Sequence, residues 1–129
     1  MTQDQITAGQ RWTYRTPPGF GASRIIVGAV VTFADHPSIM CCAVTSAPRK
    51  LPDGRVDTVT IPCLPLGEAA LRATIVSPDG EAGVDESFAT AFEAWHGDGR
   101  GLSAFTVPFE GYLDRMIALQ MAAIVGEDT

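Results

Sequence analysis

Long apolar runs are missing from this chain. The longest, Ile25–Val31, falls far short of the ~20 residues that carry a helix across a bilayer, so no membrane-spanning segment is expected. The opening residues Met1-Thr2-Gln3-Asp4-Gln5 have neither a cationic start nor an apolar core, and they do not read as a secretory signal. Positive charge is scarce as well. Nine Lys and Arg stand against fifteen Asp and Glu, a net charge of −6. Nucleic-acid and anionic-membrane binders need clustered cations to displace counterions, so neither partner is expected. Three cysteines, an odd number with two adjacent, do not form a secreted disulfide framework. The expected location is therefore cytoplasmic.

The familiar catalytic frames are missing too. There is no Gly-x-Ser-x-Gly elbow around Ser23. Gly19-Phe20-Gly21-Ala22-Ser23 leads into a strand, and Gly97-Asp98-Gly99-Arg100-Gly101 follows a helix. A phosphate loop needs a strand before it and a helix N-terminus after it. No carboxylates have calcium-loop spacing. Paired zinc ligands stand two to four residues apart, whereas Cys41 and Cys42 are adjacent and point to opposite faces of a strand. No cofactor and no metal are implied. Repeats, low-complexity tracts and long linkers are likewise absent. At 129 residues, 46% hydrophobic and 19% charged, the chain reads as a single domain spanning 1–129, with 1–9 and 126–129 as loose ends.

What is present organises itself around Arg24–Ser46. Two runs rich in β-branched residues, Arg24–Phe33 and Ser38–Ser46, flank the punctuation Ala34-Asp35-His36-Pro37, which predicts a hairpin. Apolar residues fall on both faces of this ribbon, so it should be covered on both sides. Before it, Gln10–Arg15 alternates, with Trp12 and Tyr14 on one face and Arg11, Thr13 and Arg15 on the other. Thr16–Ser23 is a loop, and Ala47–Arg55 is a second connection turning at Pro52-Asp53-Gly54. Val56–Cys63 is a further strand, ended by Pro62 and Pro65.

The pattern then turns helical. Leu66–Thr74 predicts a short helix with Leu66, Ala70 and Leu71 inward, and Ile75–Val84 reads as irregular. Asp85–His96 is the best-punctuated helix. Asp85 caps it, Phe88, Phe92 and Trp95 make its stripe, and Gly97 is placed for a left-handed stop. Leu102–Val107 reads as a short strand. Pro108 to about Val125 reads as a final helix with a stripe from Phe109 through Met116 to Ile124. Strands first and helices later predict an α+β fold. The expected form is a strongly bent antiparallel sheet or small SH3-like barrel, covered by two or three C-terminal helices.

Two groups of residues stand out for function. Arg11, Arg15 and Arg24 flank the Pro17–Ser23 loop, whose tip offers Phe20; arginine beside an aromatic is the composition of binding hot spots. The plain counter-reading is that these arginines pair with local acids and Phe20 folds inward. The second group is Cys63, Trp95 and His96, which would line a pocket between the sheet and the 85–96 helix. Pairing of the strands about Pro52 brings Cys63 near Met40 to Cys42, giving a redox pair or a thiol–histidine pair, against the alternative that all three cysteines are small core residues. His36, in a turn, and Arg49, Lys50 and Arg55, in a loop, read as solvated. His96 reads as a helix-end residue. Residues 1–60 balance at +2 (six basic, four acidic) and 61–129 at −8 (three basic, eleven acidic). Such halves favour one charged partner or a head-to-tail homodimer.

The layout resembles an uncharacterised bacterial family of small proteins of unknown function. The residues that carry the likeness are Trp12 and Tyr14, Ser23 and Arg24, Ile61 to Pro65, Trp95, and Gly97 to Val107. The resemblance covers most of the chain and implies a whole-chain domain, without an activity. Where that pattern has a histidine beside the first proline of its Leu-Pro segment, this chain reads Ile61-Pro62-Cys63, which counts against catalysis there. The expectation is a non-enzymatic binding or interaction domain, of immunity-protein or adaptor type, taking a protein partner or a small anionic ligand. The alternative is a small-ligand binder or enzyme using the pocket beside helix 85–96.

Overall fold

A computed structural model describes residues 6–35, 37–97 and 104–109, together with Met116 and Ala118. Its centre is a five-stranded antiparallel sheet in the order β4-β3-β2-β1-β5. The strands are β1 (Gln10–Tyr14), β2 (Arg24–Val31), β3 (Ile39–Lys50), β4 (Val56–Gly67) and β5 (Ile75–Glu81). Two helices accompany them, α1 (Glu68–Thr74) and α2 (Glu86–His96). The fold is α+β. The sheet is not closed into a barrel, because β4 and β5 end the order at opposite edges.

The β2–β3 ribbon is buried on both faces. Ile25, Val27, Met40, Cys42 and Val44 turn to one side and join Trp12, Tyr14, Leu64, Leu66, the α1 residues Ala70 and Leu71, Phe109 and Met116. Ile26, Cys41 and Ala43 turn to the other and meet Phe88, Phe92 and Trp95 of α2. The register keeps those faces apart: Val27 pairs with Cys42 and Ala29 with Cys41, and Gly28 is the extra residue between them. Such a bulge increases the local bend and twist of the strand. Gly28 is also where α2 docks, since a Cβ there would fall 2.3 Å from the Phe88 ring.

Several boundaries depart from the sequence reading, each for a physical reason. β4 runs through Pro62 and Pro65 to Gly67 instead of stopping at Cys63. It lies at an edge of the main sheet, where a missing N–H does not break an inner ladder. β3 continues through Pro48 to Lys50, because beyond Thr45 it has only β4 as neighbour. Ser46, at φ 51°, is the extra residue that permits this extension. Ile75–Glu81, expected to be irregular, is strand β5 pairing with β1 through two register shifts. Residues 6–9 are not loose. Ile6 is buried in the core, Gly9 N–H donates to Val27 O at 2.7 Å, and Ala82 N–H donates to Gly9 O at 2.9 Å. Gly97 stops α2 with φ −88°, not in the left-handed region. Of 104–107, only Phe105 makes a bridge, parallel to Leu66. His36, residues 1–5, residues 98–103 and most of the expected final helix lie outside the described residues, although Phe109 and Met116 are both buried.

Two buried hydroxyls tie the layers together. Ser23 Oγ donates to Thr45 O at 2.7 Å, which commits its proton, so the 2.7 Å contact from Tyr14 must be donated by the phenol. Burial raises the Tyr14 pKa, and the Ser23 contact partly offsets that rise. Thr74 Oγ1 donates to Ala70 O and accepts Phe109 N–H at 2.9 Å, anchoring the later segment to α1.

Candidate functional site

The arginine cluster assembles in part. Trp12 faces the first core, so its strand neighbours Arg11 and Thr13 face the α2 side. Arg24 lies on β2, and β1 separates it from β5, where Pro78-Asp79-Gly80 makes the strand irregular. Arg24 reaches across β1: its Nε donates to Asp79 Oδ2 at 2.6 Å, and its Nη1 donates to Gly21 O and Ser23 O at 2.7 and 2.9 Å. Arg11 Nε donates to Asp79 O at 2.8 Å and lies 3.4 Å from Oδ2. Thr13 and Ser77 continue the polar surface, with their hydroxyls 2.9 Å apart.

One carboxylate is thus shared by two guanidiniums. The hydrogen bond from Arg24, then the charges of Arg11 and Arg24, hold Asp79 below the usual carboxylate range. The side chains of Arg11, Arg24 and Asp79 remain 40%, 28% and 39% exposed, so the trio sits in the sheet surface and not beneath it. Arg15 and Phe20 do not join it directly. Arg15 is exposed and donates to Ala73 O, at the end of α1, at 3.4 Å. Phe20 is half-buried in a turn whose N–H bonds Pro17 O, and it belongs to neither core cluster. Asp79 was missed by sequence reasoning. Nothing local marks it, because it stands 68 residues from Arg11 and 55 from Arg24.

The second group is placed differently. Cys63 and Trp95 both pack against the α2-side core, and His96 is exposed, its ring 5.6 Å from Phe92 and 6.3 Å from Trp95. The space between sheet and helix is filled by rings: Phe88 stacks on Phe92 at 5.8 Å, and Phe92 tilts against Trp95 at 5.9 Å. A depression opens instead at the start of α2, lined by Val84, Asp85, Glu86, Ser87 and Ala89. Asp85 is engaged there as the helix cap, accepting from Ser87 N and Phe88 N.

The cysteines do come together as the strand pairing predicted. Between the pairs Cys42–Leu64 and Val44–Ile61, β4 has two residues, Pro62 and Cys63, against Ala43 alone. Cys63 lies beside that bulge on the same face as Cys41, near enough for the two thiols to perturb each other's ionisation. The neighbouring Cys41 thiol lowers the Cys63 pKa, while Cys41 is raised by Cys63 and by burial. Cys42 faces the opposite core, donates to Met40 O, and has its pKa raised by burial. Among the described residues, no group of three or more His, Cys, Asp or Glu is placed to hold a metal ion. No described helix is long and apolar enough to cross a membrane. No family model, curated protein or solved structure matches the chain.

Proposed function

We propose that this protein is a non-enzymatic interaction domain whose Arg11–Asp79–Arg24 surface receives an acidic group of a protein partner. The observation that carries this reading is the charge imbalance of the trio, two guanidiniums on one carboxylate, on an exposed sheet face. Arg24 spends Nε and Nη1 on internal acceptors, but Arg11 is engaged through Nε only among the described residues. Its two Nη groups remain for a carboxylate or phosphate, which guanidinium recognises through paired N–H donors. Phe20 extends the same reading, because it directly precedes Gly21, whose carbonyl Arg24 holds; Arg15, tied to the end of α1, stands apart from the trio. An aromatic beside a guanidinium supplies contact area for a partner. The alternative pocket between sheet and α2 has less support, because aromatic rings fill that interface.

The test is an NMR titration of the arginine Nε–Hε signals with a glutamate-rich peptide at low salt. Arg11 and Arg24 are expected to shift while Arg49 and Arg55, which hold Asp57 and Asp53, stay put. Arg11→Gln removes the outward guanidinium and leaves the Arg24–Asp79 bond in place. It should weaken binding about tenfold, the equivalent of one charge-assisted hydrogen bond, with the melting temperature nearly unchanged. Equal shifts at all four arginines would mean nonspecific attraction and would end this proposal.

A further inference from the structure

We propose that Cys63 and Cys41 are an oxidisable dithiol, a modification site at which a small hydroperoxide converts the two thiols into one disulfide joining β4 to β3. This inference stands apart from the arginine surface and uses residues that surface does not touch. Three observations carry it. The Pro62–Cys63 bulge places Cys63 on the α2 face of the sheet, where Cys41 also points. The register sets Cys63 two residues from Pro65, the partner of Cys41, so the two side chains are diagonal neighbours on one face of the β3–β4 pair. The two positions also differ in access, since Cys41 is fully buried and Cys63 only half-buried.

That asymmetry assigns roles. Cys63 is the sulfur a solvent-borne oxidant reaches first, being the less buried of the two, and the neighbouring Cys41 thiol holds its pKa below the usual thiol value, favouring the nucleophilic thiolate. The Cys63 thiolate attacks one oxygen of hydrogen peroxide. An S–O bond forms, the O–O bond breaks, and the departing hydroxide takes up the proton Cys63 released, leaving as water. Cys63 is then a sulfenic acid. The Cys41 sulfur attacks it; the S–S bond forms, the S–O bond breaks, and the second hydroxide leaves as water with the Cys41 proton. Two thiols lose two electrons and two protons, and one peroxide becomes two waters. The bond would close between diagonal neighbours beside the bulge, where the ladder is already interrupted and the strands can yield. Cys42 takes no part, because it faces the other core.

The test is peptide mapping of the native full-length protein after stoichiometric hydrogen peroxide. The expected result is a loss of two hydrogens in mass, a Cys41–Cys63 linked peptide within one chain, and one free thiol of three, Cys42, on titration in denaturant. Dithiothreitol should restore all three. In Cys41→Ser, Cys63 should advance to the sulfinic acid, which dithiothreitol does not reverse. Cys41 is a fully buried core residue, so where this variant fails to fold the wild-type map decides without it. Wild-type Cys63 over-oxidised without a link, a link only between chains, or thiols inert until the protein unfolds would each overturn the proposal.

Discussion

Replacing Gly28 by alanine tests how α2 is held to the sheet. Gly28 is a strand residue without a left-handed φ, so alanine fits its backbone. At such positions Gly→Ala commonly stabilises by about 0.4–1 kcal/mol, through a less disordered unfolded chain. Here the added Cβ would stand 2.3, 2.5 and 2.8 Å from Phe88 Cζ, Cε2 and Cε1. Carbon atoms pack at about 3.5–4.0 Å, so the ring must withdraw by more than about 1 Å. It has little room to do so. Phe88 is the buried residue of α2, and the stacked Phe92 ring lies 5.8 Å away. Overpacking of this kind costs about 1–3 kcal/mol, which outweighs the backbone gain. Gly28→Ala should therefore lower stability by about 1–2 kcal/mol in urea unfolding, once that gain is subtracted. Phe88→Ala alone should cost about 3–5 kcal/mol. In that background the alanine at 28 has no ring to meet, and its effect should become neutral or favourable. The reasoning fails if Gly28→Ala stabilises the wild-type protein, or if its cost is the same with and without the Phe88 ring.

Ser23→Ala removes a hydroxyl that serves two buried partners, Thr45 O and the Tyr14 phenol. It should cost about 1–3 kcal/mol. Adding Tyr14→Phe should return part of that loss, because one orphaned donor disappears; a strictly additive double variant in denaturant unfolding would refute the network. Asp79 predicts an acid limb. Its native pKa lies below the ordinary 3.8, so its contribution to stability is complete above that value. The contribution is lost as pH falls below 3.8 through the native value. Asp79→Asn should shrink the stability difference between pH 6 and pH 2 relative to wild type (about two units either side of the ordinary carboxylate range), measured by thermal unfolding. An unchanged difference would show that the two arginines do not hold it.

The hairpin and α2 were legible because their signals are local. The β-branched runs of β2 and β3, the Asp85 cap and the Phe88–Phe92–Trp95 stripe each lie within one element. Where proline and glycine seemed to break strands, the deciding fact was position in the sheet, which no local pattern carries. Pro62 and Pro65 fit a strand because β4 is at an edge, and Pro48 fits because β3 has lost its second neighbour there. β5 was illegible for a related reason. Ser77-Pro78-Asp79-Gly80 has turn composition, and it becomes a strand only by borrowing the β1 ladder through shifted pairs.

The arginine surface shows the same limit and adds a consequence. Arg11 and Arg24 could be seen flanking one loop, but the carboxylate that orients them arrives from β5, on the far side of β1. The trio is therefore also a clamp: Arg24 binds the irregular edge strand to β2 across its neighbour. Exposed ion pairs contribute little stability singly, and this one is screened in part. The clamp and the proposed recognition role use different nitrogens of the cluster, so they are separable. Asp79→Asn should loosen β5, read as faster amide exchange from Ile75 to Glu81, while leaving both guanidiniums to meet an acidic probe. Arg11→Gln removes the Nη donors together with the Nε bond to Asp79 O, so it should weaken the probe most and loosen the strand less than Asp79→Asn does, because Arg24 still holds Asp79. If the two variants weakened the probe only in proportion to how far they loosened β5, the cluster would be a structural clamp alone.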